Sequence, residues 1–163
     1  MRYRSGMPRP RTQVAFLLAQ LGSVAAEQFG TRAAALGLTR PESGLLRLIG
    51  QRPGRSQREL ATDLGTPPSR LVALVDGLEE RGLVERCRSQ ADRRNYELVL
   101  TGAGGRLLAR LADVAAEHEA AVTAALTAGE RAQLQQLLGR LADAHGLAEG
   151  VHPGYRNLPP GRT

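Results

Sequence analysis

Four arginines, Arg86, Arg88, Arg93 and Arg94, fall within nine residues near the middle of a 163-residue chain. A guanidinium is planar and offers paired N–H donors, which match a phosphate or the O6 and N7 edge of guanine. Cations this dense in a short polar loop repel one another unless an anion or water separates them. Arg93 or Arg94 suits insertion into a narrow minor groove, where the negative potential is deepest. Asp92 among them reads as a brace for a neighbouring arginine rather than a contact of its own. A second set, Arg55, Ser56, Gln57 and Arg58, surrounds a predicted helix start, with Arg52 just before it. Cations and free N–H groups there fit a phosphate backbone. A third set, Pro68, Ser69, Arg70, Val72 and Ala73, opens another helix. Residues in the first turns of a groove-bound helix reach base edges, and Arg70 is the best candidate for a guanine or phosphate.

Other chemistries find little support. No Ser-His-Asp or Cys-His set, glycine-rich phosphate loop or paired metal-ligand spacing is present, so neither an enzyme nor a cofactor is expected. His118, His145 and His152 are too widely spaced for a metal site, and none is expected. The lone Cys87 rules out an internal disulfide framework. It reads as a small strand residue; its arginine-rich setting would also suit a redox switch.

Composition agrees with an acidic partner. The net charge is +6, and all 22 basic residues are arginine. Aromatics make up only 3%, which weakens single-stranded nucleic acid as that partner, since stacking platforms are scarce. No apolar run approaches the ~20 residues that span a bilayer. The N-terminus lacks a signal-peptide apolar core, so a cytoplasmic location with no membrane partner is expected.

The elements that must position these arginines follow from periodicity and caps. Apolar residues from Val14 to Ala25 recur at helical spacing, predicting a first helix over Thr12–Phe29 that stops at Gly30. Thr39-x-x-Glu42, Ser56-x-x-Glu59 and Thr127-x-x-Glu130 are three capping boxes, each opening a helix. Gly65-Thr-Pro-Pro68 is a turn, with Thr66 predicted to cap the next helix and Pro67 to take its first position. That helix carries Leu71, Leu74, Val75 and Leu78, and Gly82 closes it. Leu83–Arg88 and Asn95–Leu100 then read as a hairpin joined by the polar loop Ser89–Arg94, with Tyr96, Leu98 and Leu100 on one face. A helix pair with a glycine turn, followed by an arginine-rich hairpin, is a winged helix-turn-helix.

The predicted fold is therefore mainly α with a small β-hairpin wing: a winged helix-turn-helix lobe plus a helical dimerisation region. An arm and first helix (1–38) and two long C-terminal helices (102–146) supply the dimerisation region around the DNA-binding lobe (39–101). Residues 147–163 read as a tail. About 25 residues of helix from Thr101 span roughly 37 Å, more than a small core needs, which points to a partner subunit.

Three stretches give the order of elements a family likeness. They are Gly37-Leu-Thr-Arg-Pro-Glu42 with Leu45, Leu46 and Leu48; Gln57-Arg-Glu-Leu-Ala61 with Leu74-Val-Asp-x-Leu-Glu-x-x-Gly-Leu-Val84; and Asp92-Arg93-Arg94 with Leu98-x-Leu100-Thr101. In these the chain resembles the MarR family of bacterial transcription regulators. The resemblance implies a homodimer whose terminal helices intertwine and whose winged lobes sit on a pseudo-palindromic operator in double-stranded DNA. Two recognition helices in successive major grooves must then lie ~34–36 Å apart. It favours Arg93 as the minor-groove residue and repression as the usual outcome. It also implies a small effector, often a phenolic or aromatic anion, between the dimer helices and the lobe. Phe16, Gln20, Leu45, Ile49 and Arg106 are the lining residues expected there. The chain departs from the family pattern at Pro67-Pro68 and at Ala73, where relatives often carry polar residues and an arginine. Phosphate contacts and groove shape would then carry more of the recognition. The alternatives are an architectural DNA binder without an effector and a redox-responsive regulator acting through Cys87.

Overall fold

The computed structural model describes residues 13–88, 96–148, 150–152 and 154–155. Among the described residues, six helices and three short strands follow one another: α1 (Val14–Ala35), α2 (Arg40–Gln51), β1 (Arg55–Ser56), α3 (Gln57–Leu64), α4 (Pro68–Glu80), β2 (Val84–Arg88), β3 (Tyr96–Leu100), α5 (Gly102–Val122) and α6 (Ala128–Ala144). The architecture is mainly helical with an antiparallel β wing. Among the described residues, no helix is long and apolar enough to cross a membrane.

Local chemistry sets most boundaries. All three capping boxes form, with each Thr or Ser oxygen accepting from the N3 amide and each glutamate accepting from the cap amide. The first helix does not stop at Gly30; it runs on to Ala35. Gly30 lies inside the helix, where the Arg40 side chain packs over it. The terminator is Gly37, whose φ of 74° lets Gly37 and Leu38 donate back to Ala34 and Ala33. The same motif explains a second correction. Gly65 adopts φ 61°, and the Thr66 amide closes the end of α3 by donating to Ala61. Thr66 therefore completes the preceding helix and does not cap α4. Pro67 occupies the cap position and Pro68 the first turn, where no amide donor is needed.

The hairpin gains a third strand that the sequence hid. β1 pairs antiparallel with β3, Arg55 opposite Leu98, so β3 is central in the order β1-β3-β2. Two residues are too few for any periodicity to reveal. The core lies between α2, α3, α4 and this sheet, around Leu45, Leu46, Ile49, Leu60, Leu71, Val75, Leu78 and Leu98. α5 joins it through Leu107 and Leu111.

Two regions differ in kind. α6 buries none of its residues within the chain, although it carries Leu134, Leu137, Leu138 and Leu141. Beyond α6, within the segment read as a tail, Tyr155 is buried in the core at 4% exposure.

Candidate nucleic-acid interface

The recognition helix α4 is anchored by Leu71, Val75 and Leu78, which are fully buried. Their spacing leaves the opposite face free. Pro68, Ser69, Val72 and Ala73 stand exposed on that face, and Arg70 is half-buried at its edge. No ion pair engages Arg70 among the described residues. α4 thus presents a short, mostly uncharged surface that a base edge or thymine methyl can approach.

The wing is tied to this helix by charge. Arg86 on β2 lays its guanidinium between Asp76 and Glu79 of α4, donating to both carboxylates. Its backbone N–H also donates to Glu79 Oε1 at 3.3 Å. Two guanidinium nitrogens of Arg86, the residue expected to contact DNA, are thus engaged inside the lobe, where they brace the wing. Arg88 is exposed, with no ion pair among the described residues. Asp92, Arg93 and Arg94 lie outside the described residues. Cys87 is half-buried on β2 opposite Glu97.

The start of α3 is also more occupied than its sequence suggested. The backbone N–H and hydroxyl of Ser56 donate to Glu59 Oε2 at 2.8 and 2.9 Å. Their occupation pulls the Glu59 carboxyl below its ordinary range, helped by Arg55. Ser56, expected at the DNA backbone, therefore has its amide and hydroxyl engaged within the lobe. Arg55 pairs with Asp63 at 3.0 Å and with Glu59 at 3.5 Å, and Arg52 reaches the same Asp63 at 3.5 Å. These pairs neutralise Arg55 within the lobe. Arg58 is exposed and makes no ion pair among the described residues. Gln57 is half-buried, and its Nε2 has no hydrogen-bond partner among them.

The residues expected to line an effector site fall into two groups. Phe16 and Gln20 on α1 and Arg106 on α5 are exposed. Leu45 and Ile49 are sealed inside the core of the lobe. Within this chain the latter two, expected to line the effector site, present no surface to a ligand. His118 on α5 packs on Phe29 of α1, with ring centroids 5.7 Å apart.

Positioning residues escaped the sequence reading. Asp76 and Glu79 carry no sequence signal for their contact with Arg86. Glu42 closes its capping box and also accepts from Arg81, the residue that ends α4, at 3.3 Å. Only the capping half of that role has a sequence signal.

The chain is similar to known proteins. A model of the MarR family matches residues 36–95. The HTH-type transcriptional repressor Rv2887 of Mycobacterium tuberculosis is 32% identical over 126 residues, covering 77% of this chain and 91% of that protein. A structure of Rv2887 in complex with salicylic acid aligns with a TM-score of 0.65 at 31% identity, covering 84% of this chain and 98% of that one. A proposed transcriptional regulatory protein for the hcr operon of Thauera aromatica is 38% identical over 105 residues; the match spans 64% of this chain and 63% of that protein. The transcriptional repressor CouR, solved bound to a 23-mer DNA duplex, aligns with a TM-score of 0.73 at 34% identity, covering 86% of this chain and 99% of that one. With its anchored recognition helix, charge-braced wing and matching relatives, the chain belongs to the MarR family of winged helix-turn-helix, DNA-binding transcription regulators.

Proposed function

We propose that this chain is a homodimeric repressor that binds a pseudo-palindromic operator in double-stranded DNA and is released by a small aromatic acid. The observation that carries the DNA reading is the recognition helix, held by three buried aliphatic residues with Pro68, Ser69, Val72 and Ala73 facing outward. The exposed arginines Arg58 and Arg88, with the half-buried Arg70 on the helix itself, are the phosphate or base contacts. Arg93 and Arg94, with Asp92 as their brace, are proposed for the minor groove. CouR, a repressor of the same fold, was solved on a DNA duplex.

The dimer reading rests on apolar surface that a single chain leaves wet. α1 exposes Val14, Phe16, Leu17, Leu18, Leu21 and Val24, while α6 exposes a leucine row. Contiguous apolar faces on two helices are stable in water only when covered. Residues 1–38 and 102–146 are proposed as the dimerisation region, which sets the spacing of two lobes built from residues 39–101.

The effector reading draws on Rv2887, whose solved complexes hold salicylic acid and p-aminosalicylic acid. In this chain Phe16, Gln20 and Arg106 are the exposed members of the expected site, with Arg106 suited to a carboxylate. Such a ligand acts only by preferring a lobe spacing that cannot reach both half-sites.

Hydroxyl-radical footprinting on a duplex selected from a random pool tests the function. Two protected patches one helical turn apart, lost on addition of salicylate, are the expected result. Uniform coating of the duplex would overturn operator recognition; protection indifferent to a panel of aromatic acids would overturn the effector reading.

A further inference from the structure

The segment beyond α6 makes a connection that the DNA-binding role does not by itself require. Gly150, His152 and Gly154 are exposed, yet Tyr155 beside them is buried at 4% exposure. Its ring fills a slot over α2 that exists because residue 44 is a glycine. A Cβ at Gly44 would overlap the phenol oxygen and lie 3.0 Å from Cζ and 3.1 Å from Cε2. The phenol donates to the Pro41 carbonyl, and Arg47, further along α2, donates to the Gly150 carbonyl. The segment is thus fastened along α2 at two points.

The fastened turn leads directly to the recognition helix. Glu42 follows Pro41. One of its carboxylate oxygens closes the α2 capping box on Thr39, and the other accepts from Arg81 at 3.3 Å. Arg81 is the C-cap of α4, directly before the turn into β2. Contacts therefore run from Gly150 and Tyr155 to α2, and from the first turn of α2 to the end of α4. α6 carries the leucine face proposed for dimerisation, so this path joins the element that sets lobe spacing to the helix that reads DNA. A chain terminus otherwise frays, and an aromatic buried there holds it in place.

We propose that Tyr155 is a positioning residue for operator binding, strapping α2 and through it the recognition helix to the dimerisation region. The inference rests on the operator-binding reading above and goes beyond it by assigning the C-terminal segment a part in that binding. The strap fixes lobe orientation, so it supports only binding that needs both recognition helices in register. Non-specific binding, driven by phosphate neutralisation, does not depend on it.

The test uses full-length wild type, Tyr155→Ala, Tyr155→Phe and Gly44→Ala on a duplex that wild type selects from a random pool, and on its scrambled counterpart. Tyr155→Ala and Gly44→Ala are expected to weaken binding to the selected duplex about tenfold, leaving scrambled-duplex affinity and dimer mass unchanged. Tyr155→Phe, which keeps the ring and loses the Pro41 bond, is expected to restore most of that affinity. The double variant of Gly44→Ala with Tyr155→Ala should be no weaker than either single one, because both remove one contact. Affinity within twofold of wild type in both single variants would overturn the positioning role, as would equal losses on both duplexes. If Tyr155→Ala fails to fold, Gly44→Ala alone carries the same test. Failure of wild type to enrich any duplex would instead sink the operator-binding reading.

Discussion

The Arg86 guanidinium donates to the Glu79 carboxylate, locking the first wing strand to the recognition helix. Asp76 accepts from the same guanidinium three residues earlier on α4. Removing the cation leaves two carboxylates facing each other in a partly covered site. Arg86→Ala is expected to cost about 2 kcal/mol of folding stability, between the values for exposed and buried pairs. Urea unfolding checks this. A double-mutant cycle with Glu79→Ala should show coupling above ~0.5 kcal/mol; independent effects would show that the pair contributes nothing measurable.

The outward arginines should behave differently. Arg70→Ala is expected to leave folding stability within ~0.5 kcal/mol and to cost about 1–3 kcal/mol of operator affinity if it reads a base. Arg58→Ala should weaken selected and scrambled duplexes alike and lower the salt slope by about 1, the mark of one lost phosphate contact. Anisotropy titrations from 50 to 300 mM salt separate the two roles. A stability loss without a binding loss would return either residue to the fold.

The leucine face of α6 should fail under a charge. Leu137 is 47% exposed in the single chain, so Leu137→Glu does not disturb the lobe's core. Sedimentation is expected to show a monomer, and operator binding should fall to the level of scrambled DNA because one lobe reads only one half-site. A dimer that persists with full affinity would place the interface elsewhere.

The Tyr155 contact has a pH signature. Burial pushes the phenol above its usual value near 10, partly opposed by the Arg47 guanidinium. The folded state favours the neutral phenol, so its raised pKa contributes stability that is fully present below about pH 10 and is lost as pH rises through the folded value. Melting temperature should therefore decline above that point, and Tyr155→Phe should flatten the decline. Identical profiles for the two proteins would show that the phenol is not held in its slot.

Local signals carried much of this architecture. Thr39-x-x-Glu42, Ser56-x-x-Glu59 and Thr127-x-x-Glu130 marked three helix starts because a capping box is complete within four residues. Leu71, Val75 and Leu78 marked the buried face of α4 through their spacing alone. What the sequence hid involves competition or distance. Thr66 looked like a cap, but the preceding helix uses its amide. Gly30 looked like a stop, yet nothing in its neighbourhood ends the helix before Gly37. Arg86 and Arg88 are alike in sequence, and only the turn of α4 that brings Asp76 and Glu79 beneath one of them tells them apart. Leu45 and Ile49 carry the same residue types whether they line a pocket or fill a core. Tyr155 meets Pro41 across 114 positions, a separation at which no sequence periodicity operates.

Discrimination between duplexes tests the central claim most directly. Fluorescence anisotropy at ~150 mM salt would compare the duplex selected by this protein with its scrambled counterpart. A preference of at least ~1000-fold, weakened by Arg70→Ala, is the predicted result for a sequence-specific regulator. Equal, steeply salt-dependent binding to both duplexes by a well-folded dimer would contradict it.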